Sequence, residues 1–419
     1  MRKQENFWRN MDWLTVVLYL SLVVYGWLSL YSASGSSEST SIFDFSERYG
    51  KQLLWIGLAL LLAFMILVID AKFFSSFAYI FYFLIIFSLI GLLFFGETVA
   101  GSRSWFQIGN FALQPSEFAK FATALALAKY LGKLQTDMRL FKTKAVAITI
   151  ISFPALLILM QNDTGSALVY FSFILVLYRE GLSGWIIVIG LLLAALFIIT
   201  IKFGEFYVAI ALVALAVLLF ALFRSLRHQW KIWLSSLFVS LIFVSMVDYT
   251  FKHVLESHQR IRIAVMLGMK EDPHGAGYNV NQSEIAIGSG GFIGKGYRKG
   301  MLTRNHFVPE QSTDFIFCTV GEERGFLGSM VLILLFLALL IRIIQLSERQ
   351  RSAFSRIYGY GVASILFFHF AVNLAMTIGL FPVVGIPLPF FSYGGSSLWA
   401  FTILLFIFIK QDANRLNVL

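Results

Sequence analysis

Successive apolar runs of about 20 residues, separated by polar segments, make up most of this sequence. A run of that length crosses the hydrocarbon core of a membrane as an α-helix, because a helix satisfies its own backbone polar groups there. The chain has 419 residues, of which 58% are hydrophobic and only 13% charged, and this balance excludes an ordinary soluble domain. We therefore predict an all-α polytopic membrane protein in which residues 1–419 form one integral membrane domain.

Twelve of these runs are long enough to be predicted as transmembrane helices. They cover residues 12–34, 52–70, 74–95, 115–132, 144–160, 164–179, 184–202, 206–223, 231–249, 312–344, 357–381 and 395–410. The first run is too long for a signal-peptide core and lacks a convincing small-residue cleavage site, so we predict that it remains as the first span.

Basic residues in short loops indicate the orientation of the spans, because cytoplasmic loops are enriched in Lys and Arg. With the basic segment 2–9 on the cytoplasmic side, the basic segments 133–144, 224–231 and 342–356 fall on that side too. An even number of spans returns the C-terminus there, and the large loop 250–311 then faces outward. This topology explains the formal net charge of +10, which therefore does not indicate a nucleic-acid partner.

The stretch 269–323 is polar and rich in glycine within an otherwise apolar chain. A polar loop of this length between spans is where chemistry is expected. Asp272 precedes Pro273, which favours an extended conformation. The basic residues near it in sequence are Arg260, Arg262, Lys270, Lys295 and Arg298. A carboxylate beside several cations suits a reaction that needs one base and releases an anion, whereas a turn-forming role is the alternative for Asp272.

The segment 114–120 is a second polar stretch on the outward side. Pro115 suits the first turn of a helix, where Gln114 or Ser116 could satisfy the free N–H groups. Glu117 and Lys120 are three residues apart, so they share one face of that helix inside the membrane. Charges there are costly and usually line a cavity, but a structural ion pair between two helices is the alternative.

Other polar residues carry weaker signals. Asp163 is well placed to cap the helix that follows it, and capping alone could explain its presence. The spacing of His258, His274 and His306 is not diagnostic of a metal site. The single cysteine, Cys318, excludes an internal disulfide.

A series of motifs follows in order along almost the whole chain. They are Arg103-Ser104-Trp105, Gln114-Pro115-Ser116-Glu117, Asp163-Thr164-Gly165, 272–278, Gln282-Ser283, 285–291, Gly294-Lys295-Gly296, 309–317, Glu322-Glu323 and 385–396. Together they resemble the SEDS family of polytopic bacterial proteins, which includes RodA and FtsW. The segments 285–291 and 294–296 are more similar to the RodA branch, and this similarity implies a role in cell elongation and cell shape.

The sequence departs from the pattern of that family at three places. The family core has ten spans, but the interval 180–250 is predicted to hold three helices where relatives have one, so the chain carries an extra pair. Asn162 replaces a proline before Asp163. Arg324 follows the Glu322-Glu323 pair at a position where an uncharged residue is more usual.

The resemblance implies a peptidoglycan glycosyltransferase in the bacterial cytoplasmic membrane. It would polymerise lipid II into undecaprenyl-linked glycan at the outer leaflet, with a class B penicillin-binding protein and other elongation proteins as partners. By the same resemblance Asp272 is the general base, since a sugar hydroxyl must lose its proton as the bond forms. The pyrophosphate leaving group is already an anion, so a second carboxylic acid is not required. A single displacement would invert the α linkage of the donor.

Further residues are predicted to line the cavity or to bind the substrate and its pyrophosphate. They are Arg103, Trp105, Glu117, Lys120, Asp163, Arg260, Arg262, Gln282, Ser283, Lys295, Thr313, Asp314, Ser392 and Ser396. A divalent cation such as Mg²⁺ or Mn²⁺ could help to balance the developing charge. The segment 385–396 is expected to form a re-entrant or cavity-lining turn, because prolines and glycines break the helix there.

Three functions are open at this point. A flippase for lipid II would need an alternating cavity and no base, whereas a polymerase would lose activity when Asp272 is replaced by Asn. A scaffold that only recruits the penicillin-binding protein would make no polymer by itself. Trp105 is equally open, as a contact to sugar or lipid or as an interfacial anchor.

Overall fold

The computed structural model describes residues 7–34, 42–99, 101–109, 111–133, 136–223, 228–270 and 276–416. Within these ranges, ten helices are long and apolar enough to cross a membrane, which makes the chain a multi-pass membrane protein. Two further apolar segments, Pro115–Leu131 and Thr164–Arg179, are shorter but occur where spans were predicted. The total of twelve spans therefore stays a prediction.

The chain divides into two compact units, Met1–Leu182 with Asn279–Leu419, and Ser183–Tyr278. The helices of the first unit up to residue 182 are α1 Phe7–Asn10, α2 Trp13–Ala33, α3 Arg48–Val68, α4 Ala71–Phe95, α5 Pro115–Leu131, α6 Phe141–Met160, α7 Thr164–Leu168 and α8 Phe173–Arg179. A 3₁₀ turn, Val169–Ser172, joins α7 to α8.

The described residues of the second unit form three long helices, the number that the sequence predicted for this interval. They are α9 Gly184–Phe203, α10 Glu205–Leu222 and α11 Trp230–Tyr249, followed by a π-helical turn, Thr250–Val254, and by α12 Ser257–Met266. Gly204 joins α9 to α10 with a φ of 84°, a conformation that glycine adopts without strain. Glu256 and Gln259 form a capping box at the start of α12.

The remaining helices belong to the first unit, apart from the first three residues of α13. They are α13 Ala276–Ser289, α14 Met301–Arg304, α15 Ile316–Glu348, α16 Ala353–Thr377 and α17 Gly395–Ala413. The prediction of one long loop over 269–323 was therefore wrong in part, because α13 occupies its middle and α15 begins before its end. The apolar residues Ala286 and Ile287 give α13 a face that packs on the bundle, which a loop would not need.

Helix α5 lies at the centre of the first unit and contacts α4, α6, α16 and α17. Most of its residues are buried, and many of them are alanines. Small side chains allow helix backbones to approach closely, which favours helix association in a membrane. The first two turns of α5 are thereby surrounded by protein, and they carry Glu117 and Lys120.

A small antiparallel sheet precedes α5, and the all-α prediction missed it. Its strands are β1 Glu97–Val99, β2 Ser102–Ile108 and β3 Phe111–Leu113, in the order β1-β2-β3. Glu97 pairs with Trp105, and Phe106 pairs with Leu113. Gly101 and Gly109 have φ values of 87° and 61°, which permit the turns between the strands.

Candidate active site

The carboxylate of Glu117 and the ammonium of Lys120 form an ion pair inside the first unit. Lys120 Nζ lies 2.8 Å from Glu117 Oε2 and 3.0 Å from His369 Nε2. The three residues are at most 3% exposed, and we call them the buried charge cluster. The prediction that Glu117 and Lys120 share one helix face is confirmed. Lys120 Nζ also lies 4.7 Å from the ring centroid of Phe401, a favourable position for a cation.

His369 is a member of this cluster that the sequence reasoning did not identify. Its Nδ1 lies 3.1 Å from the carbonyl oxygen of Pro387. A carbonyl oxygen only accepts hydrogen bonds, so Nδ1 carries the proton and Nε2 is left to accept a bond from Lys120. His369 thus links the ammonium of Lys120 to the turn that contains Pro387. A histidine in an apolar span was the available signal, because ionisable residues are rare there.

Asp163 caps α7, as predicted, and also binds the segment before α5. Its Oδ1 accepts a hydrogen bond from the N–H of Ser166 at 3.0 Å. Its Oδ2 accepts bonds from Gln114 Nε2 at 3.0 Å and from Ser116 Oγ at 3.3 Å. The suggestion that Gln114 or Ser116 caps α5 was wrong, since no side chain caps that helix and both residues donate to Asp163 instead.

Ser396 joins the start of α17 to the start of α5. Its Oγ accepts a bond from the N–H of Gln114 at 3.3 Å and lies 3.3 Å from the carbonyl oxygen of Ala112. Ser396, Asp163 and Glu117 are therefore held at the same end of the bundle. The N-termini of α5 and α17 meet here, and helix N-termini favour negative charge.

The segment 380–394 forms an ordered non-helical turn whose middle is buried. Asn373 Nδ2 donates to the carbonyl oxygens of Ile386 at 2.7 Å and Asp314 at 2.8 Å. Ser392 Oγ donates to the carbonyl oxygen of Thr313 at 2.6 Å. Side chains thus satisfy backbone groups that a helix would have paired, as irregular backbone at membrane depth requires.

A polar pocket of about 600 Å³ lies beside the segment that contains Thr313 and Asp314. Arg48 donates to Ser312 Oγ, and Gln311 Nε2 lies 2.9 Å from His306 Nδ1. The other residues that line the pocket are Leu30, Ala33, Ser34, Glu47, Val308, Pro309 and Glu310. Polar side chains of both charges surround this space, and the sequence did not single out Arg48.

Lys295 is engaged in a local ion pair. Its Nζ lies 2.7 Å from Glu322 Oε1, and the side chain of Glu322 is fully buried. Glu322 also accepts bonds from the N–H groups of Leu302 and Thr303 and from Thr303 Oγ1. Lys295 therefore neutralises a buried carboxylate.

The glycine-rich segment 288–296 packs against a break in α15. Gly325 has a φ of 58° and a ψ of −154°, which interrupts the helix. The N–H groups of Phe326 and Leu327 donate to carbonyl oxygens of the glycine-rich segment, whose own N–H groups at 295 and 296 donate back to α15. A Cβ on Gly290 would collide with the backbone of Gly321, so close packing explains that glycine.

Arg103 and Trp105 lie on β2. Arg103 Nε and Nη2 donate to the carbonyl oxygens of Gly96 and Phe94 at 2.9 and 3.1 Å, so this cation binds the C-terminal end of α4. Trp105 is partly exposed. In α13, Gln282 is partly buried, and Ser283 is fully buried and donates to the carbonyl oxygen of Thr377 at 2.8 Å.

Two of the predicted residues lie in the second unit, and a third is not described. Asp272, the predicted base, falls outside the residues that the structure describes. Arg260 and Arg262 lie on α12 in the second unit, where Arg260 Nη1 donates to the carbonyl oxygen of Lys252 at 3.0 Å. Within the described ranges, no group of three or more His, Cys, Asp or Glu side chains is placed to hold a metal ion, so we derive no step through one.

An apolar groove of about 630 Å³ runs beside the start of α5. Pro115 and Phe118 line it, while Glu117, between them in sequence, belongs to the buried charge cluster. The other lining residues are Leu58, Leu61, Leu62, Leu84, Ile85, Ser88, Phe106, Leu113, Trp399 and Ile403. One helical turn thus carries residues of both an apolar and a charged environment.

Comparisons with known proteins agree on one family. A sequence model of the FtsW, RodA and SpoVE cell cycle proteins matches residues 12–211 and 207–416. The peptidoglycan glycosyltransferase RodA of Treponema pallidum is 32% identical, over 97% of this chain and 98% of its own length. The peptidoglycan glycosyltransferase MrdB of Escherichia coli K12 is 32% identical over 94% of this chain and 92% of its own.

A solved structure gives the same result for the fold. It comes from a study of how a peptidoglycan synthase complex coordinates polymerisation and crosslinking. That chain superposes with a TM-score of 0.70 and 27% identity, and the match covers 97% of this chain and 99% of that one.

Proposed function

We propose that lipid II is the substrate of this protein and that its active site is extracytoplasmic. The chain belongs to the FtsW, RodA and SpoVE family and is a peptidoglycan glycosyltransferase of cell elongation. The observation that carries the proposal is the convergence of distant motifs on one end of the first unit. Residues 114–120, Asp163 and Ser396 are linked by hydrogen bonds, and Lys120 is joined through His369 to the turn 380–394.

The substrate proposal rests on two neighbouring environments of different polarity. Lipid II combines a long apolar carrier with a pyrophosphate and sugars. The apolar groove beside Pro115 and Phe118 suits the carrier because it is lined almost wholly by hydrocarbon side chains. The buried charge cluster lies on the other side of the same turn, so one molecule could use both environments. The polar pocket beside Glu310 and Arg48 suits the hydroxyl groups of a sugar.

We assign the chemistry to Asp272 as general base. A hydroxyl oxygen of one sugar attacks the anomeric carbon of the other substrate, while the bond from that carbon to the pyrophosphate oxygen breaks. Asp272 accepts the proton of the attacking hydroxyl, and the pyrophosphate leaves as an anion. Attack opposite the leaving group inverts the α linkage to β. We expect Glu117, Lys120 and Asp163 to shape the cavity that receives the pyrophosphate.

Lys120 is the cation that we favour for the developing negative charge. All three candidate cations of the first unit have partners, since Arg103 binds backbone carbonyls, Lys295 binds Glu322 and Lys120 binds Glu117. Lys120 differs in that it is fully buried beside the motif segments. A cation in a site that excludes water interacts more strongly with an anion than it does in bulk solvent. Arg260 and Arg262 remain candidates from the second unit.

We place the protein in the bacterial cytoplasmic membrane with both termini in the cytoplasm. We also propose a class B penicillin-binding protein as its partner, together with other elongation proteins. The similar chain from a peptidoglycan synthase complex supports this partnership, since that complex couples polymerisation to crosslinking.

The test is a polymerisation assay with purified protein and labelled lipid II, with and without the penicillin-binding protein, resolved on a gel. We expect glycan ladders from the wild type and a loss of roughly 10²–10⁴-fold in Asp272→Asn. Glu271→Gln, which removes the adjacent carboxylate, is the matched control and should keep its ladders.

The gel separates the polymerase from the two alternatives, and a transport assay separates the flippase from the scaffold. Equal ladders from the wild type and Asp272→Asn would remove Asp272 as the base and direct the search to another carboxylate. If neither protein makes polymer, even with its partner and divalent ions, a lipid transport assay in vesicles follows. Transport that is unaffected by Asp272→Asn would then establish the flippase, and absence of transport would leave the scaffold.

A further inference from the structure

Arg324 lies on α15 at one end of a groove that the proposed reaction does not use. Its guanidinium carbon is 4.4 Å from the ring centroid of Tyr25 and 5.8 Å from that of Tyr297. Burial raises the pKa of the Tyr297 phenol, so this ring stays neutral beside the cation. The groove has a volume of about 670 Å³ and runs between α2 and α15. Its further lining residues are Val17, Leu20, Ser21, Val24, Leu28, Leu327, Gly328 and Val331.

The carboxylates nearest to Arg324 in sequence are engaged elsewhere. Glu322 pairs with Lys295, and both oxygens of Glu323 lie 2.5 Å from Ser32 Oγ. In the part of the chain that the structure describes, no carboxylate lies within ion-pair distance of Arg324. Aromatic rings stabilise a guanidinium but accept few of its five N–H donors. The cation therefore retains hydrogen-bonding capacity at the mouth of an apolar groove.

The neighbouring side chains indicate that Arg324 lies at the level of lipid headgroups. Tyr25 and Tyr31 lie in the C-terminal half of α2, and Arg324 lies over the rings of both Tyr25 and Tyr297. Tyrosines are enriched at membrane interfaces. Phe292 stacks on Phe326 at 5.6 Å, and both rings are more than half exposed. An exposed aromatic pair beside a cation suits the boundary between headgroups and acyl chains. With the predicted topology, this boundary belongs to the outer leaflet.

We propose that Arg324 and the groove between α2 and α15 bind an anionic phospholipid of the outer leaflet. The guanidinium would donate to the lipid phosphate, because its planar set of N–H groups matches phosphate oxygens. One acyl chain would lie along the hydrocarbon wall formed by residues such as Val24, Leu327 and Val331. Charge complementarity selects an anionic headgroup over a zwitterionic one.

The test measures lipid binding to the full-length purified protein by native mass spectrometry after delipidation. Phosphatidylglycerol and phosphatidylcholine with identical acyl chains are titrated in separate experiments. We expect the wild type to prefer phosphatidylglycerol by about fivefold, the effect typical of one basic residue near a membrane surface. Arg324→Gln should abolish this preference, and Arg324→Lys should keep part of it.

A second pair of variants tests the groove. Leu327→Trp should fill it and weaken the binding of both lipids, while the charge at Arg324 is unchanged. Leu337→Trp changes a lipid-facing leucine of the same helix that does not line the groove, and it should bind both lipids as the wild type does. Thermal midpoints of all variants establish that they are folded.

Two results would overturn the proposal. Arg324→Gln that keeps the full preference for phosphatidylglycerol would show that another cation selects the headgroup. The second result would come from a third titration, which uses undecaprenyl phosphate. If this lipid displaces phosphatidylglycerol at equal concentration in an Arg324-dependent way, the groove belongs to a polyprenyl carrier and not to a phospholipid.

Discussion

His369 and Asn373 lie one turn apart on α16 and bind the carbonyl oxygens of two consecutive residues of the same turn. His369 Nδ1 is 3.1 Å from the oxygen of Pro387, and Asn373 Nδ2 is 2.7 Å from that of Ile386. Because His369 also binds Lys120, the position of the turn 380–394 is tied to the position of the buried ammonium. We therefore expect a change in one of these two features to displace the other.

The first prediction concerns His369. Replacing it with Leu removes the bonds to Lys120 and to Pro387 without a large loss of volume. We expect the polymerisation rate to fall on the order of 10–100-fold, since small displacements of positioning groups cost this much. The rate is measured by the ladder assay at saturating lipid II. His369→Gln retains an amide that can donate and accept, and it should recover part of the rate. A rate for His369→Leu equal to that of the wild type would remove this role.

The second prediction separates a structural from a functional role for Glu117 and Lys120. Removing one partner leaves the other charge buried, so Glu117→Gln and Lys120→Met should each lower the free energy of unfolding by about 3–5 kcal/mol. The double variant should be more stable than either single variant, because it leaves no uncompensated charge. Thermal midpoints in detergent give the comparison.

The polymerisation activity of the double variant of Glu117 and Lys120 distinguishes a functional role of the pair from a structural one. If Lys120 acts on the pyrophosphate, the double variant stays inactive although its stability has recovered. A double variant that is both stable and active would make the pair structural only.

The third prediction concerns Lys295. Lys295→Met leaves the buried Glu322 without its cation, and we expect a loss of about 1–3 kcal/mol in stability. The double variant Lys295→Met with Glu322→Gln should recover both stability and polymerisation. Lys299→Met changes an exposed lysine four residues after Lys295, and it should have little effect on stability or on polymerisation. Loss of activity that persists in the stable double variant would return Lys295 to the group of pyrophosphate ligands.

The fourth prediction uses two glycines on either side of the end of α13. A Cβ at position 290 would collide with the backbone of Gly321, whereas a Cβ at position 288 meets nothing within 4 Å. Gly290→Ala should therefore destabilise the protein by about 1–3 kcal/mol, while Gly288→Ala should be neutral or slightly stabilising. Equal thermal midpoints for the two variants would show that the segment 288–296 is not packed as described.

Local relationships in this chain could be predicted from the sequence. The shared face of Glu117 and Lys120 follows from helix periodicity, and the capping role of Asp163 follows from its place before an apolar run. The apolar runs likewise predicted the long helices, because a span needs about 20 apolar residues whatever its neighbours are.

Tertiary relationships could not be predicted in this way. His369 is 249 residues from Lys120, and Glu322 is 27 residues from Lys295, so the folded chain alone decides these pairs. The sheet over 97–113 was missed because its strands are short, although Gly101 and Gly109 were available as turn signals.

The break at Gly325 divides α15 into two parts. Four backbone hydrogen bonds join the residues around the break to the segment 291–296, which lies far from them in sequence. The segment is thus bonded to Glu322 and Glu323 before the break and to Phe326 and Leu327 after it. Later turns of α15 contact α2 through Gly328 and α16 through Phe336. A displacement of the segment 291–296 would therefore move the residues on both sides of the break together, whereas the later turns of α15 are held by other helices.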